Sequence, residues 1–293
     1  MTLGLWVKFA IISLIWGTTW IVIKNQLGDV PASWSVTWRF MLAGAVMFGL
    51  CLFMGKRLRL GPGGHGFAML MGLTQFVLNF NFVYSAEEHV TSGLVALTFA
   101  LLVVPNALLS RIFLGVTVSR QFLLGSTLGI IGVGAMFARD IMQSGGSGGQ
   151  DVWLGLGLAV GGLFSVSAAN VLTASKRGRA QPLEAGIAWS MFYGTIMNAG
   201  LAFAMDGPPV ISLQPGYLAG LAYLAILGSA LAFIFYYQLI RAIGAGRAAY
   251  TAVIVPLLAI MVSTVFEGYI WSPLAAAGAL LALLGLVIAL KGR

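Results

Sequence analysis

The sequence predicts an all-α integral membrane protein, with ten spanning helices arranged as two inverted five-helix repeats. Three observations predict it. Hydrophobic residues make up 59% of the chain and charged residues 8%, against about 25% charged in a soluble domain. The apolar residues gather into ten segments near the roughly 20 residues that a helix needs to cross a bilayer. One stretch of the chain is also repeated: Gly93 to Pro105 reads GLVALTFALLVVP, and Gly244 to Pro256 reads GAGRAAYTAVIVP, 151 residues further on.

The segments follow in order. The first, about 6–23, runs on into Trp20-Ile21-Val22-Ile23-Lys24 with no small-x-small cleavage site behind it, so it reads as a span and not as a removed leader. The second, about 34–54, follows Pro31 and stops before Lys56, Arg57 and Arg59. Gly61-Pro62-Gly63-Gly64 separates it from the third, about 67–86; the fourth is about 92–114 and the fifth about 121–138. The sixth, about 153–174, comes after the Gly/Ser-rich run Ser144 to Gln150, which reads as a flexible linker. The seventh, about 185–205, ends at Gly207-Pro208-Pro209, and the eighth is about 217–239. The ninth, about 248–267, and the tenth, about 273–290, are parted at Ser272-Pro273. Backbone without hydrogen-bond partners is not tolerated in lipid, so each apolar segment is a helix.

Charge orients them. With the N-terminus in the cytoplasm, all Lys and Arg except Lys24, Arg39 and Arg139 fall on that side or at its edge, and all acids except Glu184 fall on the other. This bias places both termini in the cytoplasm. It also accounts for the +8 net charge as an orientation signal and not as a nucleic-acid surface. Cys51 is the single cysteine, which excludes a disulfide within the chain.

The repeat adds a second level of order. Phe113-Leu114-Gly115 recurs as Phe266-Glu267-Gly268, Gly125 as Gly278 and Gly132 as Gly285, each 153 residues on. Five spans per copy is an odd number, so the second copy enters from the opposite face and the halves are inverted. The expected organisation is residues 1–143 as the first repeat, 144–151 as an outer linker and 152–293 as the second.

Leu14-Ile15-Trp16-Gly17-Thr18-Thr19-Trp20-Ile21-Val22-Ile23-Lys24 resembles the first-helix signature of the drug/metabolite transporter superfamily, EamA type. Pro31 followed by Trp38-Arg39-Phe40 resembles its second-helix pattern, and the doubled Gly-to-Pro unit with its closing glycines resembles the end of each family repeat. The likeness covers nearly the whole chain. Within the family, it is most similar to YddG-type aromatic amino-acid exporters. The family's Glu late in each repeat is matched by Glu267, whereas Leu114 occupies the first-half position. The resemblance implies a bacterial inner-membrane exporter with a central cavity between its halves and amino acids or related metabolites as substrates, moved by alternating access.

A transporter site sits near mid-span at the repeat interface. The residues expected to line it are Trp16, Thr19 and Trp20 of the first helix, Gln75, Asn79 and Phe82 of the third, and Phe99 with the carbonyl-bearing Leu101 of the fourth. Ser167 and Asn170 of the sixth, Phe233, Tyr236 and Tyr237 of the eighth, and Tyr250 of the ninth complete the set. Pro105 and Pro256 each strand the carbonyl four residues earlier, which makes them hinge or gate candidates. Trp6, Trp34, Trp38, Trp153 and Trp271, near span ends, read as interface anchors, and Thr18 and Ser165 as helix glue. Arg39 reads as structural, with Glu87 or Glu88 of an outer loop as its partners.

No Asp or Glu falls in the middle of any segment, so no buried carboxylate is expected to carry protons. That pattern suits a facilitator for a net-neutral solute such as a zwitterionic aromatic amino acid. The competing reading is a multidrug or organic-cation carrier with proton antiport. An enzyme is disfavoured because no nucleophile–base set, paired acids or HExxH motif lies at depth. No metal or cofactor is expected; the expected partners are a small solute and the lipid bilayer, and one chain is expected to form one pathway.

Overall fold

The computed structural model describes residues 3–28, 30–117, 119–243 and 251–291, with the backbone alone for 138–149, 240, 241, 243, 253 and 290. Among the described residues every regular element is helical. In chain order the long ones are α1 (Leu3–Lys24), α2 (Ala32–Phe53), α3 (Gly64–His89), α4 (Ser92–Leu114), α5 (Arg120–Phe137), α6 (Gln150–Ala174), α7 (Leu183–Asp206), α8 (Pro215–Leu239), α9 (Thr251–Phe266) and α10 (Pro273–Lys291), with a single turn, Lys176–Arg179, after α6. Among the described residues, α1 to α6 and α8 are each long and apolar enough to cross a membrane, while α9 and α10 contribute shorter apolar segments. The 24-residue α7 packs along α2, with Gly44 against Met191.

α5 and α6 belong to one helical run, Arg120–Ala174, so the backbone of the expected linker is helical. A straight run is nevertheless impossible. Gly129 lies against Leu101 and Gly162 against Phe99, two residues apart in α4, whereas the intervening residues of a straight helix would separate them by about 50 Å. α5 and α6 therefore pass the same depth in opposite directions.

The seam between the halves is made of glycine. A Cβ on Gly132 would lie 2.4 Å from the Ala282 nitrogen, and one on Gly285 2.4 Å from the Gly129 nitrogen. α5 and α10 thus meet backbone to backbone, the contact that small residues permit inside a membrane. Gly125 and Gly278 make equally close approaches along the same line.

Two helices are wound irregularly at matching places. α3 widens into a π-helical stretch at Gly72–Leu78 and α8 at Tyr223–Leu231. Their starts are 151 residues apart (223 − 72), the offset of the Gly-to-Pro repeat. The fourth helix of each half differs. α4 tightens to a 3-10 turn at Ala100–Leu102, just ahead of Pro105, whereas Pro256 lies inside α-helical α9.

Contacts between helices define two ends. Lys8 donates to Gln238 at 2.8 Å, Trp189 to the Leu58 carbonyl at 2.8 Å, and Lys56 pairs with Glu184 at 3.6 Å. These residues and Arg179 mark a basic end. At the other, acidic end, Ser33 donates to the Asp206 carboxylate, Trp34 to the Gly207 carbonyl at 3.3 Å and Trp38 to the Val210 carbonyl at 2.8 Å. Trp34 is 3% exposed, so it clamps α2 to the loop after α7, in place of the lipid-anchor role expected for it. Trp6, Trp153 and Trp271 are exposed as anchors would be.

Glu267 also bridges the halves at the acidic end. Its carboxylate accepts from the backbone nitrogen and hydroxyl of Ser92, the first residue of α4. A helix start leaves its first N–H groups without partners, and here the other half supplies the acceptor.

Candidate functional site

Two adjoining cavities lie between the halves. A central chamber of about 190 Å³ is walled by α1, α2, α3, α4, α6, α8 and α9. A vestibule of about 920 Å³ leads from it toward Arg179 and Gln181 at the basic end. Asn170, Tyr236 and Tyr237 line both, so the two cavities adjoin at these side chains.

The structure places Trp16, Thr19, Trp20, Gln75, Asn79, Phe99, Asn170, Phe233, Tyr236 and Tyr237 around the chamber. Trp16 meets Phe233 edge-on at 5.8 Å and Tyr236 at 5.0 Å, and Trp20 meets Phe99 edge-on at 5.3 Å. Such edge contacts hold rings at fixed angles, so the wall is shaped as well as apolar. Trp16 donates its indole N–H to the Gly228 carbonyl at 3.2 Å. Gly228 lies in the π-helical stretch of α8, where wider winding alters the regular carbonyl pairing.

Two polar atoms on this wall have no partner: the Trp20 indole N–H, a donor, and Asn79 Oδ1, an acceptor. Asn79 is 4% exposed, as is Gln75 beside it on α3. Buried polar groups are almost always bonded, so a buried donor and a buried acceptor left unpaired on two residues of the chamber wall are exceptions that call for a partner.

Other expected residues fall elsewhere. Phe82 packs against Gly161 and Leu101 against Gly129, both outside the chamber wall. The rotation of α3 and α4 turns them into helix contacts instead. Ser167 is fully buried and donates to Asn106 Oδ1 at 2.6 Å, beside Asn170, which donates to the same oxygen at 3.2 Å. Asn106 lines the vestibule and was not among the expected residues, although a polar side chain directly after Pro105 was a signal for it. Pro256 borders the chamber and Pro105 does not. Tyr250 lies outside the described residues. Thr18 and Ser165 bond backbone carbonyls within their own helices.

The structure corrects the reading of two charged residues. Glu87 is not in a loop: it occupies the last turn of α3, fully buried, with both carboxylate oxygens unpartnered. A buried carboxylate is therefore present, near the acidic end. Neither Glu87 nor Glu88 makes a hydrogen bond to Arg39. Arg39 lines the chamber, donates through Nε to Ser229 Oγ at 3.1 Å and through Nη1 to Tyr84 at 3.4 Å, and lies over Phe80 at 4.5 Å. Above it, Tyr84 reaches Gln26 at 3.4 Å, Gln26 reaches the Tyr217 carbonyl at 3.4 Å, and Ser35 bonds Tyr217 at 3.1 Å. This layer separates the chamber from the acidic end. Among the described residues no group of three or more His, Cys, Asp and Glu could hold a metal ion.

A bundle of apolar helices enclosing a polar-spotted chamber, closed toward one end and open through a vestibule toward the other, has the architecture of a solute transporter. The chain belongs to the EamA-like transporter family, whose model matches residues 4–138 and again 153–291. It is 21% identical to protein PagO of Salmonella typhimurium over 90% of this chain and 85% of that one. It is 26% identical to the inner membrane transporter YedA of Escherichia coli K12 over 87% of this chain and 80% of that one. A solved crystal structure superposes with a TM-score of 0.67 at 20% identity, covering 100% of this chain and 99% of its own, and shows the fold alone.

Proposed function

We propose that this chain exports amino acids across a bacterial inner membrane by alternating access, with aromatic amino acids as the preferred cargo and threonine and similar metabolites as further ones. The observation that supports it most is the unpaired Trp20 N–H and Asn79 Oδ1 on a wall of Trp16, Phe99 and Phe233. The rings offer an aromatic side chain edge and face contacts, and the unpaired atoms offer its polar end a donor and an acceptor. At about 190 Å³ the chamber is smaller than the roughly 300–1,000 Å³ of sites for drug-sized ligands, which favours a small metabolite over multidrug cargo.

The basic end faces the cytoplasm by the positive-inside bias, and one of the two relatives named above is called an inner membrane transporter. On that orientation the vestibule is cytoplasmic and this conformation is the one that loads cargo. The family model matches the chain twice, which supports two inverted repeats forming one pathway in one chain. Chamber walls free of Asp and Glu among the described residues support facilitated movement down the solute gradient.

Uptake into liposomes holding the purified chain tests this across tryptophan, phenylalanine, threonine, sugars and organic cations. Tryptophan or phenylalanine is expected to move fastest. Failure to move any amino acid under any gradient sinks the reading. Collapse of uptake when the pH gradient alone is removed overturns facilitation.

A further inference from the structure

We propose that Arg39 binds the anionic group of the cargo, so that the chamber selects solutes carrying a carboxylate and rejects organic cations. The proposal rests on the transporter reading of the chamber and deepens it, since it names the part of the cargo that is recognised.

Arg39 is 2% exposed and lies on the chamber wall. A guanidinium has five N–H donors and stays charged. Here its bonds run to two neutral hydroxyls, those of Ser229 and Tyr84. The ion pairs among the described residues are Lys56 with Glu184 and His89 with Asp151, and Arg39 is in neither. Phe80 covers one face of the guanidinium at 4.5 Å, which holds the group in plane and leaves its edge for bonding. An intramembrane charge of this kind marks a functional group by default, because burying it unpaired is costly.

The surroundings specify the ligand. The chamber wall holds no Asp or Glu among the described residues, so nothing there balances a cationic cargo. Trp20 and Asn79, both on the wall, carry a buried donor and a buried acceptor without partners, which suit a carboxylate and an ammonium once the side chains turn to the cargo. Donors and acceptor together match a zwitterion, with the fork of Arg39 able to grip a carboxylate through two bonds.

Glu87 is the rival partner. Lys24, Arg39 and Glu267 are the charges in electrostatic reach of its buried carboxylate. If Arg39 existed to balance Glu87, removing both charges together would restore what removing Arg39 alone destroys.

The test is thermal stabilisation of the purified full-length protein by matched pairs of probes: indole-3-propionate against tryptamine, 3-phenylpropionate against phenethylamine, and hexanoate against hexylamine. In each pair the carboxylate is expected to bind about tenfold or more tighter than the amine, the range of a charge-assisted bond. Arg39→Gln is expected to abolish that preference, Arg39→Lys to weaken it, and Glu87→Gln to keep it. Equal or tighter binding of the amines by the unaltered protein overturns the proposal even if Arg39→Gln does not fold. Recovery of the carboxylate preference in the Arg39→Gln/Glu87→Gln double variant also overturns it. If hexanoate binds as tightly as indole-3-propionate, Arg39 recognition stands and the aromatic preference proposed above falls.

Discussion

The two halves of this protein share a scaffold and differ in equipment. Gly125 and Gly132 on one side, Gly278 and Gly285 on the other, close the same seam from both directions. The π-helical stretches of α3 and α8 start one repeat offset apart. Yet the groups able to hold a polar solute come mostly from the first half: Trp16, Trp20, Arg39, Gln75 and Asn79. At the same offset of 151 from Gln75 and Asn79, α8 carries Ile226 and Ala230. The second half contributes Phe233, Tyr236 and Tyr237 to the wall, with Asn170 and Thr251 as its further polar residues. The matching scaffold is thus fitted with unequal side chains, and most of the polar ones on the chamber wall come from the first half.

The shared seam is where substitution does most damage. Gly132→Val puts branched carbons where even a Cβ would sit 2.4 Å from a backbone nitrogen. Overpacking costs about 1–3 kcal/mol and more where nothing can yield, and the variant is expected to lose its monodisperse peak in size-exclusion chromatography. A well-folded Gly132→Val protein would break the comparison at its base.

The unequal ends come next. Glu267 caps α4, while its counterpart Leu114 has no oxygen to offer. Glu267→Leu is expected to cost about 1 kcal/mol, as loss of a helix cap does, and to lower the melting temperature by a few degrees. Leu114→Ala, by contrast, is expected to leave it nearly unchanged. Equal losses in the two variants would erase the asymmetry.

Glu87 gives a smaller and sharper test. If transport is facilitated, Glu87→Gln is expected to change tryptophan counterflow by less than about twofold, with or without a pH gradient. Loss of pH-gradient-driven uptake in that variant would make Glu87 a proton carrier. Smallest of all, Trp153→Ala at an exposed anchor is expected to fall within about 0.5 kcal/mol of the unaltered protein.

The spans were legible because each is a block of apolar residues bounded by Gly, Pro or charge, a signal that needs no tertiary information. Most of the chamber was legible too, since Trp16, Trp20, Gln75, Asn79 and Asn170 are large or polar groups at mid-span. What failed depends on helix rotation. In a helix apolar all round, sequence periodicity does not say which face turns inward. Phe82 and Leu101 were thus placed near the cavity although they face Gly161 and Gly129. Glu87 looked like a loop residue because a carboxylate ends an apolar segment, and the burial of the last turn of α3 depends on α1, α2 and α6, which no local pattern reveals. Arg39 was visible, but its place on the chamber wall was not, because Ser229, Tyr84 and Phe80 come from helices distant in sequence.

The central claim is that the chamber beside α3 is where cargo binds. Tryptophan counterflow in liposomes with Asn79→Leu tests it most directly, because Asn79 Oδ1 is buried and unpaired in the chamber wall. Removing it ends a bond to the cargo and breaks none in the empty protein. Uptake is expected to fall about tenfold, the worth of one hydrogen bond to a charged group, with the melting temperature unchanged or raised. Undiminished counterflow in a folded Asn79→Leu protein would contradict the account.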